Sequence, residues 1–380
     1  MAKLTKNEAQ ELLQVVEDSY VRTAKLKAEY EEYQRLIKKH NSWKQGTAYV
    51  PPKEKETQKL KEYETLFARY ETNVKNKDFW YEESFASFEI EMEGTCGIFK
   101  ENLDPLKTFL KKCEWKGAYF NKSDYSVEGS VYLWDGAYYL SFDGSTDVWD
   151  DFLTADIAIL SNNFTVWIEK AYNFYLTAKR HIPGLNANNV TFLGHSLGGA
   201  LAGTLSAALY LNAFNDKNKF TPSRFQKDSP EPLGANIRAV TYNAPQMGGV
   251  FDKIKADSGK GNYSVKLTRI PEARLKNVNV TSVWMEDDFV FNMHGRKKSE
   301  NQIGSDMLVL GRYDGMLQKI PSEGGIVTEL LEAAKRLDKS TIFTYLKKQI
   351  KEKIFWHFTS TLALALYEKS DEHKSTIAGD

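Results

Sequence analysis

The spacing of apolar residues in the first part of the chain is that of a helix. Between residues 60 and 74, large apolar side chains recur at alternating steps of three and four, which places them on one narrow seam. These residues are Leu60, Tyr63, Phe67, Tyr70 and Val74. Residues 5–40 carry a rougher stripe of the same kind, and Gly46 with the pair Pro51-Pro52 separates the two stretches. The pattern therefore predicts a helical hairpin over about residues 1–82.

The sequence leaves two roles open for this hairpin. It is either a structural brace packed on the rest of the chain, or a coiled coil that binds a partner or a second copy of the protein. One short seam is compatible with both, because either surface would bury it.

After about residue 83 the pattern changes to short apolar runs alternating with amphipathic segments. Strand-like runs occupy residues 131–134, 137–142, 190–193, 237–242 and 278–285. Asp135-Gly136 separates the first two runs, and such a pair favours a β-hairpin. Residues 163–180 have the periodicity of a helix that connects two strands, which favours parallel pairing. We therefore expect an α/β fold with a mostly parallel central sheet over residues 83–380.

A candidate nucleophile lies where the third of these runs ends. Residues 194–198 read Gly194-His195-Ser196-Leu197-Gly198, and a run of Ala, Leu and Gly with helical character follows. Strand, sharp turn with Ser at its apex, then helix is the context of a nucleophile elbow. The two glycines remove the Cβ atoms that would collide in such a turn, so we expect Ser196 to project from the end of the sheet.

Composition removes several classes of function. Acidic and basic side chains number 51 each, so no overall field favours a nucleic-acid partner. No run of 18 apolar residues predicts a membrane span, and the first residues lack the apolar core of a secretory signal. Two cysteines are too few for a disulfide framework. We expect a protein of the reducing cytoplasm, or one exported without a cleaved signal, that needs no metal or cofactor.

Several motifs resemble those of the class 3 lipases, the fungal triacylglycerol lipase-like branch of the α/β-hydrolases. The similarity covers residues 194–200, Phe142-Asp143-Gly144-Ser145, Thr241-Tyr242-Asn243-Ala244-Pro245, Asp288-Phe289-Val290 and His357-Phe358, in the order of that family. The resemblance implies an α/β-hydrolase fold, and we expect the N-terminal hairpin, which lies outside the similarity, to precede it. Asp143 stands where the family carries Arg, which is a departure at the turn expected to bind the oxyanion.

A serine nucleophile needs a base and an acid that orients it. The chain has six histidines: His40, His181, His195, His294, His357 and His373. His195 is expected to be a packing residue beside the nucleophile, and the order nucleophile, acid, base admits both His294 and His357. The resemblance implies His357 as the base and Asp288 as the acid. Asp287 is an alternative acid, and a solvated turn is the non-catalytic interpretation of both aspartates.

The expected activity is hydrolysis of carboxylic esters through an acyl-enzyme formed on Ser196. The backbone N–H of Leu197 and a donor from the Gly144-Ser145 turn, assigned to Ser145, would bind the oxyanion. Acyl lipids as substrate, with transient contact to a membrane surface, are implied by the resemblance alone. The alternatives are a lipase-like scaffold that no longer catalyses, and a delivered phospholipase toxin whose hairpin binds a partner.

Overall fold

The computed structural model describes residues 4–48, 50–71, 78–81, 109–121, 127–144, 164–210, 237–245, 275–285, 288, 303–304, 306–310 and 376–377. Within them the helices are α1 (Lys6–Lys44), α2 (Glu54–Glu71), α3 (Phe164–His181) and α4 (Ser196–Tyr210), with a short 3₁₀ turn at Leu110–Lys112. The strands are β1 (Asp78–Tyr81), β2 (Glu114–Asn121), β3 (Glu128–Trp134), β4 (Ala137–Phe142), β5 (Val190–His195), β6 (Arg238–Tyr242), β7 (Val280–Met285), β8 (Asp306–Leu310) and β9 (Thr376–Ile377). No helix in these ranges has the length and apolar character needed to cross a bilayer.

The described strands form one sheet whose spatial order follows the chain order from β1 to β9. Strands β4 to β8 pair in parallel, which confirms the expected α/β class with a parallel centre. The flanking pairs β1–β2, β2–β3, β3–β4 and β8–β9 are antiparallel. Asp135 and Gly136 both have positive φ, 49° and 75°, so the predicted β3–β4 hairpin turn is confirmed.

Helices cover both faces of the sheet. Successive strand residues point to opposite sides, so each strand contributes side chains to both of these interfaces. On one face α3 and α4 pack against Leu140, Phe192 and Ala239. Helix α4 is buried from Ser196 to Leu209, which its Ala, Gly and Ser content permits by letting the backbone approach the sheet. The parallel centre therefore has the hydrophobic strands expected of a sheet covered on two sides.

Helix α1 covers the other face and is the longest element in the described part of the chain, at 39 residues. Its first half packs Leu12, Leu13 and Val16 against the strands, in a core shared with Leu193 and Val240. Its second half packs against α2 and β2, through a cluster of Leu26, Tyr30, Tyr33, Leu36, Leu60, Phe67, Ala118 and Phe120. These contacts fit the brace interpretation of the hairpin.

The predicted hairpin is present, with different bounds. Lys39 pairs with Glu56 at 2.6 Å and Lys59 lies 4.0 Å from Glu32, so α2 runs antiparallel to α1. The helical character expected up to residue 81 is wrong over Asp78–Tyr81, which forms β1 and pairs with β2. The division of the chain at residue 82 stays a prediction.

Two glycines on α4 provide a matched test of this packing. A Cβ on Gly199 would lie 2.6 Å from the Cβ of Ala244, whereas a Cβ on Gly203 would make an ordinary 3.5 Å contact with Thr241. We expect Gly203→Ala to raise the free energy of unfolding by about 0.5–1 kcal/mol through helix propensity. Gly199→Ala should lower it by about 1–3 kcal/mol through overpacking. Urea unfolding of both variants checks this, and equal effects would contradict the close packing of α4 on β6.

Candidate active site

Those predicted site residues that the structure describes lie at one edge of the sheet. Because β4 to β7 are parallel, their carboxyl ends meet at the same edge, where ligands bind in sheets of this kind. Three of these strands are followed directly by site residues: Asp143 and Gly144 after β4, Ser196 after β5 and Asn243 after β6. Asp288 lies three residues beyond the end of β7. The sheet topology thus places the predicted nucleophile, the predicted acid and the expected oxyanion turn on one edge, with β6 between β5 and β7.

Ser196 has the strained conformation of a nucleophile elbow. Its φ is +54°, in the left-handed region that residues other than glycine rarely adopt, at the junction of β5 and α4. A Cβ on Gly194 would collide with the backbone of Gly198, and a Cβ on Gly198 would collide with the carbonyl of Phe142. Both glycines are therefore required, as the sequence pattern predicted. Such strain costs about 1–3 kcal/mol and persists only where the surrounding packing enforces it.

Leu197, one of the two predicted oxyanion donors, lies in the first turn of α4. Leu197 directly follows the nucleophile and is buried. Amide groups in the first turn of a helix lack partners within the helix and point along its axis, with the positive end of the helix dipole behind them. The amide of Leu197 therefore lies at a helix end that favours negative charge, and its role as an oxyanion donor stays a prediction.

The turn after β4 lies directly against the nucleophile. A Cβ on Gly144 would lie 3.4 Å from the Cβ of Ser196 and 2.9 Å from the carbonyl oxygen of His195. The backbone N–H of Gly144 donates a hydrogen bond of 2.6 Å to the hydroxyl of Tyr20 on α1. Only a residue without a side chain fits between α1 and the elbow, and this explains the glycine.

Asp143, the departure from the lipase motif, is buried beneath this turn. Its side chain is 4% exposed and accepts a hydrogen bond of 2.5 Å from the hydroxyl of Ser19 on α1. Burial raises the pKa of Asp143 to about 8, and the nearby carboxylate of Glu128 adds to the rise, while hydrogen bonds from Ser19 and Thr23 oppose it. The side chain faces α1, so it anchors the turn to that helix.

Asp288 is completely buried, at 0% exposure, and its N–H donates to the carbonyl of Met285 at 3.0 Å. This burial does not fit the solvated turn that was the non-catalytic interpretation. The neighbouring strand end is held by Asn243, which has a φ of +44°. Its N–H donates to Val283 and its side-chain oxygen accepts from Met285, both at 2.8 Å. Asn243 thus ties the ends of β6 and β7 together just before Asp288.

His195 lies on the α1 side of the elbow. Its Nδ1 is 3.5 Å from the Tyr20 hydroxyl, and the two rings meet edge to face with centroids 6.3 Å apart. This position agrees with the packing role expected from the sequence.

Four of the candidate site residues lie outside the described residues: Ser145, Asp287, His294 and His357. The base and the second oxyanion donor therefore stay predictions. Among the described residues, no group of three or more His, Cys, Asp or Glu side chains could hold a metal ion.

Sequence reasoning missed the contribution of α1 to this edge. Ser19 and Tyr20 contact residues 124 positions further along the chain, and Thr23 lies one turn beyond them. In the sequence, Tyr20 is only one member of the rough apolar stripe over residues 5–40. Nothing in that stripe identified the turn after β4 as its partner.

Comparisons with known proteins find similarity at the level of structure. No protein-family model matches the chain, and a search of curated proteins finds no match. Lipase II from Rhizopus niveus is 14% identical, with 55% of this chain and 70% of that chain covered and a TM-score of 0.31. Triacylglyceride lipase from Rhizomucor miehei is 13% identical, with coverage of 55% and 70% and a TM-score of 0.29. EstE1, a carboxylesterase cloned from a metagenomic library, is 12% identical, with coverage of 53% and 64% and a TM-score of 0.20.

The buried carboxyl of Asp143 predicts a pH-dependent stability. Its folded-state pKa of about 8 lies above the ordinary value of 3.8, so between these values the folded chain holds a proton that the unfolded chain has lost. Stability should therefore fall as pH rises through this window, by up to about 1.4 kcal/mol per pH unit. Asp143→Asn removes the ionisation and should show a shallower fall in urea unfolding between about pH 5 and about pH 8.5. Equal pH dependence of the two proteins would contradict the burial of this group.

Proposed function

We propose that this chain is a serine hydrolase of carboxylic esters that forms an acyl-enzyme on Ser196. The observation that carries the proposal is the left-handed conformation of Ser196 at a strand-to-helix junction, with the turn after β4 pressed against it. A serine with no chemical role has no need of such strain, whereas a nucleophile gains exposure of its Oγ at the end of the sheet.

In the proposed reaction, different residues act as the nucleophile, as the base and as stabilisers of the developing charge. Ser196 Oγ attacks the ester carbonyl while His357 takes its proton, and His357 then returns this proton to the departing alcohol. Asp288 orients the imidazole and stabilises its charged form. The amides of Leu197 and Ser145 bind the oxyanion of the tetrahedral intermediate. Water then attacks the acyl-enzyme by the same route and releases the acid.

The buried position of Asp288 supports its role as the acid. Its place after β7 follows the α/β-hydrolase chain order of nucleophile, acid and base. Substrates of the acyl-lipid class are proposed from the motif resemblance, as is contact with a lipid surface during turnover. A scaffold without activity is the alternative that the next experiment excludes or establishes.

Replacing the nucleophile tests the proposal most simply. Ser196→Ala should lower hydrolysis of a short p-nitrophenyl ester by roughly a million-fold if the triad acts as a unit. It should also abolish labelling by a fluorophosphonate. Ser206→Ala is the matched control, because it removes another buried α4 hydroxyl, one that bonds the carbonyl of Ile237 away from the edge. Retention of activity within tenfold by Ser196→Ala would remove Ser196 from the mechanism.

The base is tested by two histidine substitutions. We expect His357→Ala to lose activity nearly as fully as Ser196→Ala, because a serine hydroxyl is a poor nucleophile without its base. His294→Ala should retain most activity. Ester hydrolysis of both variants decides the assignment, and the reverse ranking would show that His294 is the base.

A further inference from the structure

We propose that Tyr20 on α1 is a positioning residue of the hydrolytic site: its hydroxyl holds the turn after β4 against the nucleophile elbow. The inference deepens the proposed function and rests on it. Tyr20 Oη accepts the N–H of Gly144 at 2.6 Å, and the same oxygen lies 3.4 Å from the carbonyl oxygen of His195. One hydroxyl therefore contacts both loops from which the oxyanion donors are expected.

Because the space around Gly144 is crowded, the position of Tyr20 determines the distance between the turn after β4 and the nucleophile elbow. A Cβ on Gly144 would collide with Tyr20 Oη on one side and crowd His195 and Ser196 on the other. The turn has no free space in either direction, so any movement of the Tyr20 hydroxyl changes the gap between the turn and Ser196. Oxyanion donors act only within a few tenths of an ångström of the charge they stabilise, so this gap matters for catalysis.

The helix that carries Tyr20 is itself fixed at the two residues just before it. Ser19 donates to Asp143 at 2.5 Å, and the hydroxyl of Tyr132 on β3 donates to Asp18 at 2.7 Å. Because α1 is anchored to β3 and to the turn itself beside Tyr20, this residue has a defined position and can impose it on Gly144.

The same hydrogen bond distinguishes the two amides of the turn. The N–H of Gly144 is used by Tyr20, so it is not the group that binds the oxyanion. The next residue, Ser145, stays the predicted donor of this turn. The hydroxyl of Tyr20 need not touch substrate, so its removal should act on the chemical step and not on substrate binding.

Tyr20→Phe removes the hydroxyl and keeps the ring, and Tyr242→Phe is the matched control. The hydroxyl of Tyr242 on β6 donates to the carbonyl of Ala9 near the start of α1 at 2.6 Å. Each variant therefore removes one tyrosine hydroxyl that hydrogen-bonds between α1 and another part of the fold, but only the Tyr20 hydroxyl contacts Gly144. With a p-nitrophenyl ester, Tyr20→Phe should lower kcat by about 10–100-fold with KM within about threefold of wild type. Tyr242→Phe should keep both constants within about threefold. Equal kcat values for the two variants would overturn the proposal.

Hydrogen exchange of the Gly144 amide provides a readout that does not depend on activity. We expect this exchange to accelerate by about tenfold or more in Tyr20→Phe and to remain unchanged in Tyr242→Phe, because only the former loses the bond that protects it. Unchanged exchange in Tyr20→Phe would overturn the proposal. A wild-type chain that neither hydrolyses esters nor reacts with a fluorophosphonate would overturn the proposed function, and Gly144 exchange would still decide whether Tyr20 holds the turn.

A second variant covers the case in which Tyr20→Phe does not fold. Gly144→Ala approaches the same contact from the other side, because its new Cβ must displace the Tyr20 hydroxyl. It should show the same loss of kcat with little change in KM. Wild-type kcat in this variant would contradict the proposal.

Discussion

The structure around the candidate site depends on one close approach, between the end of β4 and the start of α4. Phe142 pairs with Gly194 in the sheet, and the carbonyl of Phe142 then contacts the backbone of Gly198 so tightly that no Cβ fits between them. Ser196 has its left-handed conformation at this junction. The turn after β4 lies against Ser196 at the same place. The strain is sustained because β4, β5 and β6 are paired on both sides of the elbow strand and α4 is buried along its length.

Helix α1 completes this arrangement from the opposite face. Its apolar first half shares one core with residues of β3 to β8, while Ser19 and Tyr20 contact the turn after β4. Burying Asp143 there is costly, since an ionised carboxylate loses its hydration, and its raised pKa is the sign of that cost. Because the side chain is hydrogen-bonded to Ser19, the cost is partly offset and the turn is tied to one helix. The segment that looked separate in composition is therefore part of the structure that positions the site.

Short stretches of sequence predicted those turns and strands that depend only on neighbouring residues. The elbow glycines, the Asp135-Gly136 turn and the parallel centre followed from spacing and residue type alone. Strand β2 was missed because a bulge between Trp115 and Gly117 interrupts the alternation by which strands are recognised. The contacts of Tyr20 and the burial of Asp143 were missed for another reason: they join positions 124 residues apart, and no spacing within one segment encodes them. Asp288 was assigned by resemblance, and its complete burial is information that only the fold supplies.

The central claim is that Ser196 is a nucleophile whose oxyanion is bound by the first turn of α4 and by the turn after β4. The most direct measurement is a crystal structure of the protein after reaction with a fluorophosphonate. The account predicts phosphorus bonded to Ser196 Oγ, the phosphonyl oxygen within about 3 Å of the amides of Leu197 and Ser145, and His357 beside the serine. Phosphorus on another residue, or a phosphonyl oxygen that contacts neither amide, would contradict it.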